Sequence, residues 1–173
     1  MEFSDVLDKY RSEQSSKSDL GTKFEELMSR YLLTDPVYSA RIDKVWTWGR
    51  FPLRSQLGDH DTGIDIVART KDGEYWAIQC KCYSEDHRVS KADMDTFIST
   101  SGRKFRDETS EEMSFSKRMI IATTDNWSSN ATESANNQTI PVIIIGLSIL
   151  REAAVDWDAI EEGTSRQDDQ DRR

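Results

Sequence analysis

Two helices are predicted near the start of the chain, because apolar residues recur there at intervals of three or four. The first is indicated by Phe3, Val6, Leu7 and Tyr10. After the polar stretch SSKSD, the second begins near Leu20, and its apolar stripe comprises Phe24, Leu27, Met28, Tyr31 and Leu32. Asp35-Pro36 ends this helix, since proline cannot continue the helical hydrogen bonding.

Short runs of apolar and aromatic residues predict strands further along the chain. The runs are KVWTW, GIDIVART, EYWAIQCKCY, SKRMIIATT and IPVIIIG, and a KDG turn joins the second and third into a hairpin over residues 63–83. Ser90 caps a helix that runs to about Ser101, with Asp93 in the capping-box position. NWSSNATESANNQ predicts a short helix with loops, and LSILREAAV predicts a closing helix. This order predicts an α/β domain with a mixed central β-sheet flanked by helices.

The composition is that of one folded domain. The chain has 173 residues, of which 36% are hydrophobic, enough for one core but not comfortably for two domains. No apolar run is long enough to cross a bilayer, and the first residues lack a signal-peptide core, so we expect a cytoplasmic protein without membrane contact. Cys80 and Cys82 lie at positions i and i+2 of a strand, where they are poorly placed to bond to each other, so free thiols are expected.

The charge is uneven along the chain. A net charge of −9 argues against a protein that coats DNA, because such proteins are usually basic. Basic residues nevertheless gather in the middle, and four of them flank the helix predicted after Ser90: Arg88, Lys91, Arg103 and Lys104. They form either a solvated helix face or a set of DNA-phosphate contacts. From Glu161 the composition becomes polar and loses its periodicity, which indicates a tail or a linker.

Two polar residues, Gln79 and Lys81, interrupt the apolar run EYWAIQCKCY. Because strand side chains alternate between faces, these two share one face, while Cys80 and Cys82 point to the other. One interpretation is an edge strand whose lysine protects against aggregation. The other is a pair of functional groups brought to one place.

Asp65 lies between two isoleucines in the neighbouring strand, where a charge is costly unless something pairs with it. The loop of the hairpin decides whether Asp65 meets Gln79. A two-residue DG turn would set Asp65 opposite Cys80, on the wrong face. A three-residue KDG loop with its glycine in the left-handed conformation would set Asp65 opposite Gln79 and diagonal to Lys81. Both loops are compatible with the sequence.

A further carboxylate comes from the second predicted helix. On a helical wheel Glu25 lies at the edge of the apolar stripe, near Leu32, whereas Glu26 lies on the far side, toward water. If the stripe packs on the sheet, Glu25 can reach inward and Glu26 cannot. The alternative for Glu25 is an ordinary surface charge beside the stripe.

The segments FEELMSRYL, GIDIVA and QCK resemble the Mrr-type branch of the PD-(D/E)xK nuclease superfamily, in which the second acid is often a glutamine. EYWAIQCKCY, VSKADMDTFISTSGRKF, IIATTDNW and VDW are also similar to the N-terminal nuclease of type ISP restriction-modification enzymes, over roughly Gly21 to Trp157. The resemblance implies a PD-(D/E)xK restriction-endonuclease-like fold. It divides the chain into an N-terminal helix and linker (1–19), an Mrr-like nuclease domain (20–157) and a polar tail or linker (158–173) toward a following domain.

The resemblance implies a Mg²⁺-dependent endonuclease that hydrolyses phosphodiester bonds of double-stranded DNA, with Mn²⁺ as a substitute. Its implied catalytic centre comprises Glu25, Asp65, Gln79 and Lys81, with Lys81 as the catalytic lysine. The implied metal ligands are Asp65, Glu25, Gln79 and the backbone carbonyl of Cys80. In type ISP enzymes a helicase-like ATPase and a methyltransferase follow in the same polypeptide, so ATP and S-adenosylmethionine would serve those domains. Little sequence specificity and transient dimerisation for double-strand cleavage are expected.

Other interpretations remain open. The same fold can serve as a docking module with a decayed site, because Gln79 replaces an acid, or it can belong to a junction resolvase or a modification-dependent nuclease. A zinc site would draw on His60, Cys80, Cys82 and His87, but CxC is not a usual zinc spacing. The loop LGDHDTG offers Asp59, His60 and Asp61 near the site, although a plain loop accounts for them as well. We expect Trp46 and Trp48 to pack rather than to stack on bases.

Overall fold

The structure, a computed structural model, describes residues 1–13, 16–58 and 62–163. Its helices are α1 (Phe3–Glu13), α2 (Lys17–Thr34), α3 (Pro36–Ser39), α4 (Lys91–Ser101), α5 (Ser129–Asn136) and α6 (Leu147–Glu152). Its strands are β1 (Ile42–Thr47), β2 (Ile66–Thr70), β3 (Tyr75–Lys81), β4 (Phe105–Arg106), β5 (Glu112–Met113), β6 (Phe115–Ala122) and β7 (Val142–Ile145). Two 3₁₀ turns follow β1, at Trp48–Arg50 and Arg54–Gln56. None of the helices in these ranges combines the length and apolar character needed to span a membrane.

The main sheet is mixed, as the order of predicted elements indicated. Its five strands lie in the order β1-β2-β3-β6-β7. The β1–β2 and β2–β3 pairs are antiparallel, and the β3–β6 and β6–β7 pairs are parallel. The parallel pairs are joined by crossovers that contain α4 and α5, as parallel pairing requires. The predicted α/β fold with a mixed central sheet is therefore confirmed.

Helices cover both faces of the sheet and create two hydrophobic cores. On one face α1, α2 and α6 pack on a layer that includes Ile78 and Cys80. On the other face α4 and α5 pack on a layer that includes Ala77. Because side chains alternate along β3, Gln79 and Lys81 lie on the face of α4 and α5, opposite the thiol of Cys80.

The β2–β3 hairpin has the three-residue loop. The register pairs Ile66 with Ile78, and the N–H of Thr70 donates to the carbonyl of Glu74 at 2.8 Å. Gly73 has a φ of 84°, the left-handed conformation that such a loop requires. Of the two loops that the sequence allowed, the three-residue loop is present. The paired register ends at Ile66 and Ile78, one residue before Asp65 and Gln79.

Side-chain caps define where the helices begin. α2 begins about one turn earlier than predicted, because the hydroxyl of Ser16 accepts from the N–H of Asp19 at 3.1 Å and caps it. α4 begins where predicted, with Ser90 and Asp93 forming both hydrogen bonds of the capping box.

Both ends of the described chain contribute to the core that α2 covers. The apolar residues that predicted α1 are all buried there. Residues 157–163 are helical, Ile160 is only 2% exposed, and Lys9 forms an ion pair with Glu161 at 2.9 Å. The division at residues 19/20 and 157/158 stays a prediction, but the segment from 158 to 163 packs on the domain because it carries this apolar residue.

Candidate active site

Asp65 lies immediately before β2, beside the carboxyl-terminal part of β3. Its N–H donates to the carbonyl of Ile78 at 2.9 Å, and its Oδ2 accepts from the N–H of Cys80 at 2.7 Å. In a regular continuation of the ladder, the N–H of Cys80 would donate to the carbonyl of residue 64. The carboxylate of Asp65 takes the place of that carbonyl. It therefore lies level with the sheet at the point where β2 starts.

Glu25 reaches this carboxylate from α2. The two carboxyl groups lie close enough to change each other's pKa. Burial, and next the negative charge of Asp65, raises the pKa of Glu25 to about 8. Burial also raises the pKa of Asp65, although the N–H of Cys80 and the charge of Lys81 oppose that rise. A half-buried pair of carboxyls in which one pKa is raised above neutral is a place where a cation can replace a proton.

Lys81, the last residue of β3, brings a positive charge to this pair. Its side chain is half-buried, and its positive charge opposes the rise in the pKa of Asp65. The end of the strand is fixed, because the carbonyl of Lys81 accepts from the N–H of Thr123 at 3.1 Å. Three separate elements thus bring Glu25, Asp65 and Lys81 together.

Gln79 is the most deeply buried polar side chain among the candidates, with 3% exposure. Within the described residues its Oε1 is buried and has no hydrogen-bond partner. Leaving a buried acceptor unsatisfied costs about 1–3 kcal/mol. A bound cation would remove that cost, so this orphaned oxygen fits a metal ligand. That Gln79 converges with Asp65 on one ion stays a prediction.

Cys80 offers its backbone rather than its thiol. The N–H and C=O of one strand residue point to the same side, so the carbonyl of Cys80 faces the side where its N–H meets Asp65. The thiol is buried in the core beneath α2, and burial raises its pKa well above the usual value. The carbonyl is therefore the atom of Cys80 that fits a metal ligand.

The structure does not support the zinc alternative. Both cysteines are free thiols, as expected, and Cys80 is buried in the core. In the part of the chain that the structure describes, His, Cys, Asp and Glu side chains do not gather in groups of three or more. Any metal held here would depend on two carboxylates with amide and carbonyl oxygens, a donor set that suits Mg²⁺ better than zinc.

The four predicted DNA-binding residues surround α4 and are exposed: Arg88, Lys91, Arg103 and Lys104. Lys91 forms an ion pair with Asp95 at 3.0 Å, and Lys104 lies 3.7 Å from Glu112. Arg103 donates to the carbonyl of Leu57 at 3.4 Å. Contact with DNA phosphates stays a prediction for all four.

A cleft of about 600 Å³ lies between α2 and β1, and sequence reasoning missed it. Its walls are residues 44–50 and one side of α2, formed by Thr22, Glu25, Glu26, Ser29, Arg30 and Leu33. Glu26 lines it and is half-buried, so the expectation that Glu26 points to water was wrong. The reason is that β1 covers a second side of α2, beside the apolar stripe. No local pattern in the sequence signals this packing.

Two further expectations concern residues near the site. Trp46 and Trp48 pack on Phe51, with ring centroids 5.5 and 5.8 Å away, as expected. The loop residues Asp59, His60 and Asp61 lie outside the described part of the chain.

Comparison with known proteins identifies the family. A family profile of the Mrr catalytic type, described as restriction endonuclease, matches residues 33–167. The chain belongs to the Mrr-type restriction endonuclease family. The family predicted from FEELMSRYL, GIDIVA and QCK is thus confirmed, and with it the PD-(D/E)xK-like fold. No curated protein sequence matches the chain.

Solved structures of restriction enzymes resemble the Mrr-type domain. The ATP-dependent type ISP restriction-modification enzyme LlaBIII, bound to DNA, matches with a TM-score of 0.66 and 30% identity over 88% of this chain and 9% of that one. The DNA modification-dependent restriction endonuclease AspBHI matches with a TM-score of 0.56 and 17% identity over 95% of this chain and 40% of that one, which shows the fold alone. The Mrr-type domain thus spans less than half the length of either enzyme.

Proposed function

We propose that this Mrr-type domain is a Mg²⁺-dependent endonuclease that hydrolyses DNA phosphodiester bonds, as the nuclease module of a type ISP enzyme. The observation that carries the proposal is the proximity of two half-buried carboxyls, those of Glu25 and Asp65, which together with burial raises the pKa of Glu25. The positive charge of Lys81 acts on the carboxyl of Asp65. The backbone N–H of Cys80 in β3 donates to the same carboxyl and holds it in place.

The oxygen donors at this place fit a hard divalent cation. Asp65 and Glu25 supply carboxylates, Gln79 supplies its unsatisfied amide oxygen, and Cys80 supplies a carbonyl. A bound Mg²⁺, or Mn²⁺ in its place, would polarise the scissile phosphate and lower the pKa of a water. Because an amide carries no charge, we expect weaker metal binding than a third carboxylate would give.

The protein's own groups have two tasks in this proposal. Glu25 gives up its proton when a cation arrives, since metal ligands must be deprotonated. Lys81 stabilises the negative charge that develops on the phosphate during attack. The hydrogen bond from the N–H of Cys80 keeps the Asp65 carboxylate in position for both events.

Binding of double-stranded DNA is proposed to be weak in the isolated domain. The net charge of −9 opposes it, and the basic residues around α4 give only a local attraction. Target choice would then come from other domains of a longer polypeptide. We propose that these are a helicase-like ATPase, which uses ATP, and a methyltransferase, which uses S-adenosylmethionine. Transient pairing of two nuclease domains would allow both strands to be cut.

Nicking of supercoiled plasmid in Mg²⁺ or Mn²⁺ tests the proposal. We expect Asp65→Asn to abolish nicking and Lys81→Met to reduce it by roughly 10²–10³-fold. Lys71→Met is the matched control, because Lys71 lies in the hairpin loop at the opposite end of β3. Wild-type nicking by the Asp65 and Lys81 variants would remove the assignment.

A docking module of the same fold is the second candidate, favoured by the amide of Gln79 where an acid is usual. Calorimetric titration with Mg²⁺ separates the two functions. Heat that disappears in Asp65→Asn supports the nuclease, and the absence of heat up to millimolar Mg²⁺ supports the docking module. Branched and modified DNA in the nicking assay would reveal a resolvase or a modification-dependent nuclease.

A further inference from the structure

The cleft between α2 and β1 opens directly beside the candidate active site. Glu25 and Trp48 both line the cleft, and the backbone N–H of Trp48 donates to the carbonyl of Asp65 at 2.9 Å, so the cleft adjoins the candidate site. From Thr22 to Leu33 the cleft follows α2 for about 16 Å, at a rise of about 1.5 Å per residue. A strand of DNA that holds its scissile phosphate at Asp65 and Lys81 would pass the mouth of this cleft.

The walls of the cleft carry three positively charged side chains beside the carboxylates of Glu25 and Glu26. The three are Arg30, Lys44 and Arg50. The Lys44 ammonium is held 5.3 Å from the centroid of the Trp46 ring. The Nε of Arg30 is buried against Gly163 and has no hydrogen-bond partner within the described residues, so the positive charge of Arg30 is held in place at this wall. β1 is an edge strand of the main sheet, and the outer edge of a sheet offers backbone N–H groups.

The size of the cleft decides what can enter. A volume of about 600 Å³ lies within the ~300–1,000 Å³ range of sites for drug-sized ligands, so it holds one or two nucleotides and excludes a base-paired duplex. Nucleotides can enter only when they are unpaired. Positive groups that follow the backbone are the usual means of holding such strands.

We propose that this cleft binds one or two unpaired nucleotides of the strand that continues from the scissile phosphate. The proposal rests on the nuclease function and adds a substrate class to it. The domain then cuts duplex DNA best where a single-stranded segment adjoins the cut, as in a flap or a gap.

Filling the cleft is the sharpest test. A Cβ added to Gly49 has no atom within 4 Å, so Gly49→Leu places a side chain in open space at the cleft wall without disturbing the fold. Ala40→Leu adds a larger side chain at an exposed position before the other end of β1 and serves as the control. Lys44→Gln removes a cleft charge, with Lys71→Gln as the charge control.

Two measurements are made on each variant. The first is the ratio of cleavage rates for duplexes with and without an adjoining single-stranded flap. The second is the binding of a fluorescein-labelled thymidine decamer by anisotropy in EDTA, which needs no catalysis. We expect Gly49→Leu and Lys44→Gln to weaken decamer binding roughly tenfold and to bring the rate ratio close to one, with both controls unchanged.

The outcomes separate this proposal from the nuclease assignment. If Asp65→Asn abolishes cleavage while Gly49→Leu and Lys44→Gln bind the decamer and cut both duplexes like wild type, the cleft proposal is overturned and the nuclease function stands. The same result is expected if an extended peptide, and not a nucleotide, binds along the edge of β1. If Asp65→Asn still cuts, the nuclease function fails, and the decamer measurement still decides whether nucleotides enter the cleft.

Discussion

The carboxyl of Glu25 on α2 lies close to that of Asp65, just before β2, and the negative charge of Asp65 adds to burial in raising the pKa of Glu25. The pKa of Glu25 rises to about 8 from 4.5, chiefly through burial. A carboxyl whose pKa is raised by folding stabilises the fold fully below its unfolded value and loses that contribution as pH rises.

The metal-free domain is therefore expected to lose stability as pH rises from about 4.5 to about 8. The raised pKa of Asp65 acts in the same direction, beginning near 3.8. Urea unfolding in EDTA across this range measures the effect. Glu25→Gln, which cannot ionise, should flatten the pH dependence. A wild-type stability that rises between these pH values would contradict the raised pKa of Glu25.

Mg²⁺ should stabilise the domain more at high pH than at low pH, because the ion competes with the proton of Glu25. Ligand linkage gives about 2.7 kcal/mol when the ion is present at a hundred times its dissociation constant. The Tm with and without Mg²⁺, compared at about pH 8 and about pH 5, measures the difference. Asp65→Asn should show no gain at either pH, and an equal gain in the variant would place the ion elsewhere.

Much of the fold could be predicted because its signals are local. Glycine at position 73 and the alternating apolar residues on each side define the hairpin, and Ser90 with Asp93 marks the start of α4. The register that pairs Ile66 with Ile78 was one of two open alternatives. Only the observed pairing of Thr70 with Glu74 decided between them.

The candidate site was only partly predictable, because its geometry depends on contacts between distant elements. The alternation of apolar and polar side chains along two predicted strands indicated Asp65, Gln79 and Lys81 as site residues. No pattern indicated that the Asp65 carboxylate would replace a backbone carbonyl in the ladder. The burial of Glu26 and the cleft beside it arise from the packing of β1 on α2, which periodicity along one helix does not report.

Gln79→Met should make the metal-free domain more stable and metal binding weaker. The variant removes a buried oxygen that lacks a partner, a gain of about 1–3 kcal/mol, and at the same time removes a proposed ligand. Urea unfolding in EDTA and Mg²⁺ calorimetry measure the two effects. Such opposition between stability and function is typical of functional sites.

Gln56→Met is the matched control for this prediction. The amide of Gln56 forms two hydrogen bonds with the backbone of Arg106, at 2.9 and 2.8 Å, so its loss should lower stability and leave metal binding unchanged. If Gln79→Met were destabilised like Gln56→Met while Mg²⁺ binding stayed intact, the oxygen of Gln79 would have a structural partner and no role as a ligand.

Arg88→Gln should reduce DNA binding by removing a phosphate contact beside α4. Each such contact releases a counterion, so the slope of log K against log salt should fall by about one. Anisotropy of labelled duplex over a range of salt concentrations measures the slope. Lys91→Gln should have a smaller effect, because Lys91 is engaged by Asp95 at 3.0 Å. With Lys71→Gln as the charge control, an unchanged slope in Arg88→Gln would show that DNA does not cross this side of the domain.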